Sequence, residues 1–127
     1  MRLSFEVPGR LPGANEYTEA CRKNARAGGR MKREATEAVA WAARAAGAHP
    51  MRCPVTVRIT WVEQNMRRDK DNVRFAAKFV LDGLVTAGVM PGDGWKHVEM
   101  IEDRYLVNAR NPRVVVEVID GREDDDA

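Results

Sequence analysis

Apolar and polar residues alternate over residues 2–7, RLSFEV, the period-two pattern of a half-buried strand. The next segment, PGRLPGANEY, is rich in Gly and Pro and reads as a loop. The Gly28–Gly29 pair then predicts a break in any helix crossing the stretch around it. From Met31 to about Ala46, apolar residues at Ala35, Ala38, Val39, Ala42 and Ala46 recur at helical spacing, and Gly47 supplies a stop. The clearest strand covers residues 54–63. Val55, Val57, Ile59 and Trp61 point one way, and Thr56, Arg58 and Thr60 the other. A second helix is expected from about Asp71 to Thr86, turning Phe75, Phe79 and Val80 to a core and ending at Ala87–Gly88. A Gly/Pro turn around Asp93 leads to two last strands, 97–107 and 113–119, joined by the turn NARNP. The β-branched run of the last strand suits a central place in a sheet.

The resulting order, β-α-β-α-β-β, predicts an α+β fold: one domain, residues 1–120, with a mixed sheet covered by two main helices. A length of 127 residues suits a single domain. The tail GREDDDA, residues 121–127, is expected to be solvated and disordered. No apolar run approaches a membrane span, and the first residues lack a secretory pattern, so no membrane partner and a cytoplasmic location are expected. Cys21 and Cys53 stand apart without metal-ligand neighbours, and His49 and His97 form no constellation. Zinc chemistry or a Cys/His nucleophile is therefore disfavoured.

The net charge of +2 conceals an uneven distribution, because the tail alone carries one base against four acids. Residues 22–33, RKNARAGGRMKR, hold Arg22, Lys23, Arg26, Arg30, Lys32 and Arg33 and no acid. Such a run is either a solvated loop or a contact surface for a polyanion.

The chemistry concentrates in RRDKDN, residues 67–72. Asp69 and Asp71 are two apart, and crowded carboxylates are costly unless something cationic lies between them. In an unbroken helix Asp71, Lys78 and Asp82 would fall within roughly 20° of one another. Plainer readings exist for each residue: Asp71 as an N-cap, Lys78 and Asp82 as a surface ion pair, Asp93 as a turn former. A calcium loop starting at Asp69 fails, since its sixth position is Arg74 and its twelfth Val80. The carboxylates suit Mg²⁺ or Mn²⁺, with Arg67 and Arg68 as phosphate clamps and Lys78 steadying developing negative charge. That combination points to metal-dependent cleavage of a phosphodiester.

These motifs resemble the RusA family of Holliday junction resolvases, in particular its phage and prophage members. LPGANEY, with Pro12, Asn15 and Tyr17, is similar to the family's Pro-x-x-Asn-x-Tyr segment. RRDKDN is similar to its basic pair followed by Asp-x-Asp-Asn, and LDGLVTAGVMPGDGW to its helix end, Ala-Gly-Val turn and third acid. The resemblance implies a RusA-like fold and catalytic, metal-ligating aspartates at Asp69, Asp71 and Asp93. It also implies a supporting helix lysine. The family's usual position for it is Phe75 here, and Lys78 takes the role instead. Asn15, Asn72 and Asp82 are then supporting residues. The basic run becomes a DNA-contacting arm together with Arg67, Arg68 and Lys96. A homodimer is implied, since two symmetric nicks resolve a four-way junction.

The expected function is thus a Mg²⁺- or Mn²⁺-dependent endonuclease that nicks four-way DNA junctions in recombination, repair or phage DNA processing. A nickase for flaps or forks is the nearer alternative. A non-catalytic branched-DNA-binding module is the more distant one.

Overall fold

The computed structural model describes residues 1–121; the acidic stretch from residue 122 onward lies outside the described residues. Its elements are β1 (Arg2–Pro8), α1 (Ala14–Lys23), α2 (Ala25–Ala45), β2 (Val55–Glu63), α3 (Lys70–Arg74), α4 (Ala77–Thr86), β3 (Val98–Val107) and β4 (Arg113–Ile119). The four strands form one mixed sheet in the order β1-β4-β2-β3. β4 is antiparallel to both β1 and β2, whereas β3 runs parallel to β2 and forms one edge. The α+β class and the mixed sheet are as expected, as is the central place of the last strand.

The sheet is two-faced, as the alternation in β1 and β2 requires. Leu3, Phe5 and Val7 join Val55, Val57, Ile59 and Trp61 and Val114, Val116 and Val118 in one core, capped by Val39, Phe79, Val80 and Leu84 from the helices. The opposite face carries polar pairs such as Arg2–Glu117 and Arg113–Glu6. Although β3 and β4 follow each other in sequence, they do not pair. The NARNP turn carries the chain over the end of β2, where Asn108 N donates to Glu63 O at 2.8 Å.

Two expectations for the helices need correction. First, PGRLPGANEY and the basic stretch are not one long loop: a helix starts at Ala14, and another runs from Ala25 straight through Gly28–Gly29. Asn24 separates the two and caps the second, its Oδ1 accepting from Ala27 N at 2.8 Å. Gly28 is there for packing, since a Cβ on it would lie 2.5 Å from Cys21 Sγ on α1. Second, the helix expected over 71–86 is two helices. Bonds from Ala76 N to Val73 O and from Lys78 N to Phe75 O tighten the backbone between them. There Phe75, Phe79 and Tyr17 form a ring cluster, with centroids 5.4–6.0 Å apart.

Where α4 crosses α2, Gly83 permits a close approach. A Cβ there would sit 2.5 Å from Val39 Cγ1 and 3.1 Å from Thr36 O. In an isolated helix Gly83→Ala would gain about 1 kcal/mol. At this crossing it is expected to destabilise the protein by about 1–3 kcal/mol through overpacking. Urea denaturation measures the difference, and a net gain would show that the two helices separate freely.

Candidate functional site

The RRDKDN segment connects β2 to α3, and the fold divides its side chains into two sets. Arg68 and Asn72 turn inward. Glu63 closes β2, and Arg68 returns five residues later to bond it with Nε and Nη2 at 2.8 and 2.7 Å. The Nη1 of the same guanidinium donates to Leu11 O at 3.0 Å and to Glu16 Oε1 at 3.1 Å. The Arg68 and Glu63 side chains are only 10% and 12% exposed. Partial burial works against the Arg68 charge, but the bonds to Glu63 and Glu16 outweigh it, so the guanidinium is held above its ordinary value. The phosphate clamp expected of this residue therefore does not form. Its donors are committed to β2, the loop after β1 and the first turn of α1. Arg67 keeps an exposed side chain and remains available for that role.

Asn72 performs a second internal task. The α1 N-cap is Gly13, which has no side chain to cap with. Asn72 Oδ1 supplies the acceptor instead, taking Asn15 N at 3.0 Å. A Cβ on Gly13 would lie 2.5 Å from that oxygen and 3.1 Å from Arg68 Nη1, so only glycine fits. Two of the motif segments, distant in sequence, thus meet at the start of α1. The contribution of Asn15 is its backbone N–H.

Asp69 and Asp71 turn outward. Asp69 is the N-cap of α3, in extended conformation, yet its carboxylate makes no capping bond. Asp71 lies inside the first turn, and its Oδ1 accepts only from the adjacent Asn72 N, at 3.0 Å. Both are exposed. Asp69 lines a hollow with Lys70, Tyr105 and Leu106. Burial pushes the Tyr105 phenol up, the Asp103 and Asp71 carboxylates add to this, and Arg74 opposes it. Lys70 Nζ sits 5.3 Å from the Tyr105 ring centroid.

Asp93 occupies the loop before β3, in a second hollow that also holds Arg74, Trp95 and Met100. Arg74 links the two regions, because its Nε donates to Asp103 Oδ2 at 2.8 Å. The bond to Asp103 is the main reason the Arg74 charge is held above its ordinary value. Among the described residues, no three Asp, Glu, His or Cys side chains form a ligand group. Asp93 lines the hollow at the start of β3, and Asp69 the one at its end. The two outward carboxylates still suit Mg²⁺, which is commonly held by one or two carboxylates with substrate phosphate and water completing its shell.

The remaining expected residues scatter. Lys78 is exposed on the first turn of α4, past the break at Phe75–Ala76, so an alignment reckoned along an unbroken helix does not carry over to it. Asp82 lies one turn further on, in a hollow with Lys32 and Arg33 of α2. It belongs to the α2–α4 side of the molecule. Arg22, Lys23, Arg26, Arg30, Lys32 and Arg33 are all exposed on α1 and α2, and Lys96 is exposed beside Asp93.

Sequence reasoning missed Arg74, Asp103 and Tyr105. One signal was present: Asp103 falls between Ile101 and Tyr105 at a core-facing register. A polar residue there needs hydrogen-bond partners, and it has them in buried Trp61, through Nε1 at 2.8 Å, and in exposed Arg74.

No protein-family model matches this chain, and no curated protein matches it in sequence.

Removing Arg68 leaves Glu63 buried and uncompensated and uncaps the contact to Leu11. Arg68→Ala should cost about 3 kcal/mol of stability. Asp69→Asn and Asp71→Asn should each stay within about 0.5 kcal/mol of the parent, as exposed groups do. Chemical denaturation of the three variants checks the contrast, and equal losses would refute the inward/outward division.

Proposed function

We propose that this chain is a Mg²⁺- or Mn²⁺-dependent endonuclease of branched DNA, acting as a homodimer on four-way junctions in the manner its motifs resemble. One observation carries this reading. Within RRDKDN the fold uses Arg68 and Asn72 to tie the segment down and leaves the Asp69 and Asp71 carboxylates facing solvent, with only the local bond from Asn72 N to Asp71 Oδ1 between them and the protein. Carboxylates open to solvent on a segment tied down in this way are what a hydrolytic metal site requires.

In this reading Asp69 and Asp71 would hold the ion, and Asp93, in the hollow at the other end of β3, is the third acid that the motif resemblance implies. A bound divalent ion supplies Lewis-acid polarisation of the phosphate and an acidified water. Arg67, Lys70 and Lys78, exposed around α3 and the start of α4, orient the phosphate and offset its charge. The arm on α1 and α2 binds the flanking backbone. Arg26, Arg30 and Arg33 fall within about 60° of one another on α2, and none of the three forms an ion pair among the described residues.

A labelled synthetic four-way junction, compared with flap and linear duplexes, tests the reading. Asp71→Asn should lower the cleavage rate on the order of 100-fold while junction binding is retained. Undiminished cleavage by that variant would overturn the site. Binding without cleavage by the parent protein in either metal would favour the non-catalytic module.

The arm has its own test. Replacing Arg26, Arg30 and Arg33 with Ala should weaken junction binding uniformly across sequences. It should also flatten the dependence of log affinity on log salt by roughly 2–3. An unchanged slope in a salt titration would remove the arm from the interface.

A further inference from the structure

The hollow at the end of β3 holds more than the Asp69 carboxylate. It encloses about 390 Å³, toward the small end of the range for ligand sites, about 300–1,000 Å³. Met66, from the loop after β2, lines it together with Tyr105 and Val107 of β3. Met66 and Val107 are exposed, so apolar surface stands open to solvent beside a charged residue. Lys70, itself exposed, lies over the Tyr105 ring. That face of the ring is therefore not packed into the core and is open to a group arriving from solvent.

The same hollow has hydrogen-bonding capacity to spare. Asn65 lines it, and Asn65 Oδ1 accepts from Arg67 N at 3.0 Å. A backbone N–H can only donate, so the amide is fixed with Nδ2 as the donor left over. The edge of β3 contributes as well. Asn108 N donates to Glu63 O on β2. Backbone groups alternate in direction along a strand, so those of Tyr105 and Val107 point away from β2. On that side β3 has no strand partner among the described residues. An unpaired edge of this kind offers N–H and C=O groups to whatever lies against it.

We propose that this hollow is a base-binding site, which takes the nucleobase of the nucleotide whose phosphate lies at Asp69. A base has two apolar faces and a polar rim. The faces match Tyr105, Met66 and Val107, and the rim matches Asn65 Nδ2 and the β3 edge. Asp69 lines the hollow, so a phosphate held there through a metal ion stands at its mouth, one sugar away from the attached base. Lys70 leaves the ring to the base and turns to the phosphate. A base stacked within a duplex cannot enter, so the site favours nucleotides that are unpaired or easily unstacked, as at a branch point. The assignment rests on the proposed function for its phosphate. It adds a grip on one base beside the cut to the contacts with the backbone.

Titrating the isotope-labelled full chain with deoxynucleoside monophosphates in Mg²⁺, followed by NMR, tests the site without any cleavage. The amide signals of Asn65, Met66, Tyr105 and Val107 should shift. Deoxyribose phosphate, which lacks the base, should bind about tenfold more weakly. Tyr105→Leu should weaken nucleotide binding by a similar factor, and so should Met66→Ser, an exposed change that the fold tolerates. Trp41→Ala should leave it unchanged. Absence of those shifts, or equal affinity for the base-free sugar phosphate, overturns the base site. A four-way junction with an abasic position beside the cut separates this proposal from the nuclease reading. It should be cleaved about tenfold more slowly than the intact junction. Equal rates overturn the base site and leave the nuclease standing. Nucleotide binding in the hollow without cleavage of any DNA does the reverse.

Discussion

The bidentate contact between Arg68 and Glu63 fixes the site region. A guanidinium with little exposure must satisfy its donors inside the protein, and this one reaches three elements at once. It holds the end of β2, the backbone at Leu11 and the first turn of α1. The Asn72–Asn15 bond extends the same joint by one turn of α3. Without these contacts, the segment from Asn65 to Lys70 would be a free connection. With them, it is a mount whose outward residues are fixed in position.

That mount explains why one hexapeptide contains two kinds of polar residue. Side chains that complete the joint cannot also bind a ligand, and side chains that bind a ligand should not be needed by the joint. Arg68 and Asn72 complete the joint, whereas Arg67, Asp69 and Asp71 are exposed and lie outside it. Adjacent arginines, indistinguishable by composition, are separated by which face of the turn each occupies. A metal ion or a phosphate placed here would meet carboxylates whose loss the fold tolerates, which lets such a site change without unfolding the protein.

The strands were legible because their signal is local. Alternation at Val55, Val57, Ile59 and Trp61 needs no knowledge of the rest of the chain, and β2 runs Val55–Glu63 against an expected 54–63. The helices were read less well where tertiary contact decides. Gly28 breaks helices by propensity, yet it lies within α2 because only its absent Cβ lets Cys21 pack so closely. The start of α1 was hidden for a related reason: its cap comes from Asn72, 57 residues away. At the site, the outward pair Asp69 and Asp71 was visible in spacing alone. The inward role of Arg68 was not, since nothing near it in sequence announces the approach of Leu11 and Glu16. The break at Phe75–Ala76 likewise undid a helical alignment that assumed one continuous element.

The electrostatics follow from the same sorting. A net charge of +2 suggests little affinity for a polyanion, but net charge counts acids already neutralised within the fold. Glu6, Glu16, Glu63, Glu102, Asp103 and Glu117 each face an arginine at salt-bridge distance. The six bases of residues 22–33 have no such partner among the described residues, and they lie on two helices held against the sheet. The field a phosphate backbone meets is set by these unpaired charges, because a paired charge falls off as a dipole while an unpaired one is attenuated only by salt. The outward aspartates are exposed as well and would weaken phosphate binding near them if left bare. A divalent ion between Asp69 and Asp71 would convert that local repulsion into attraction, so metal and DNA should assist each other's binding at this face.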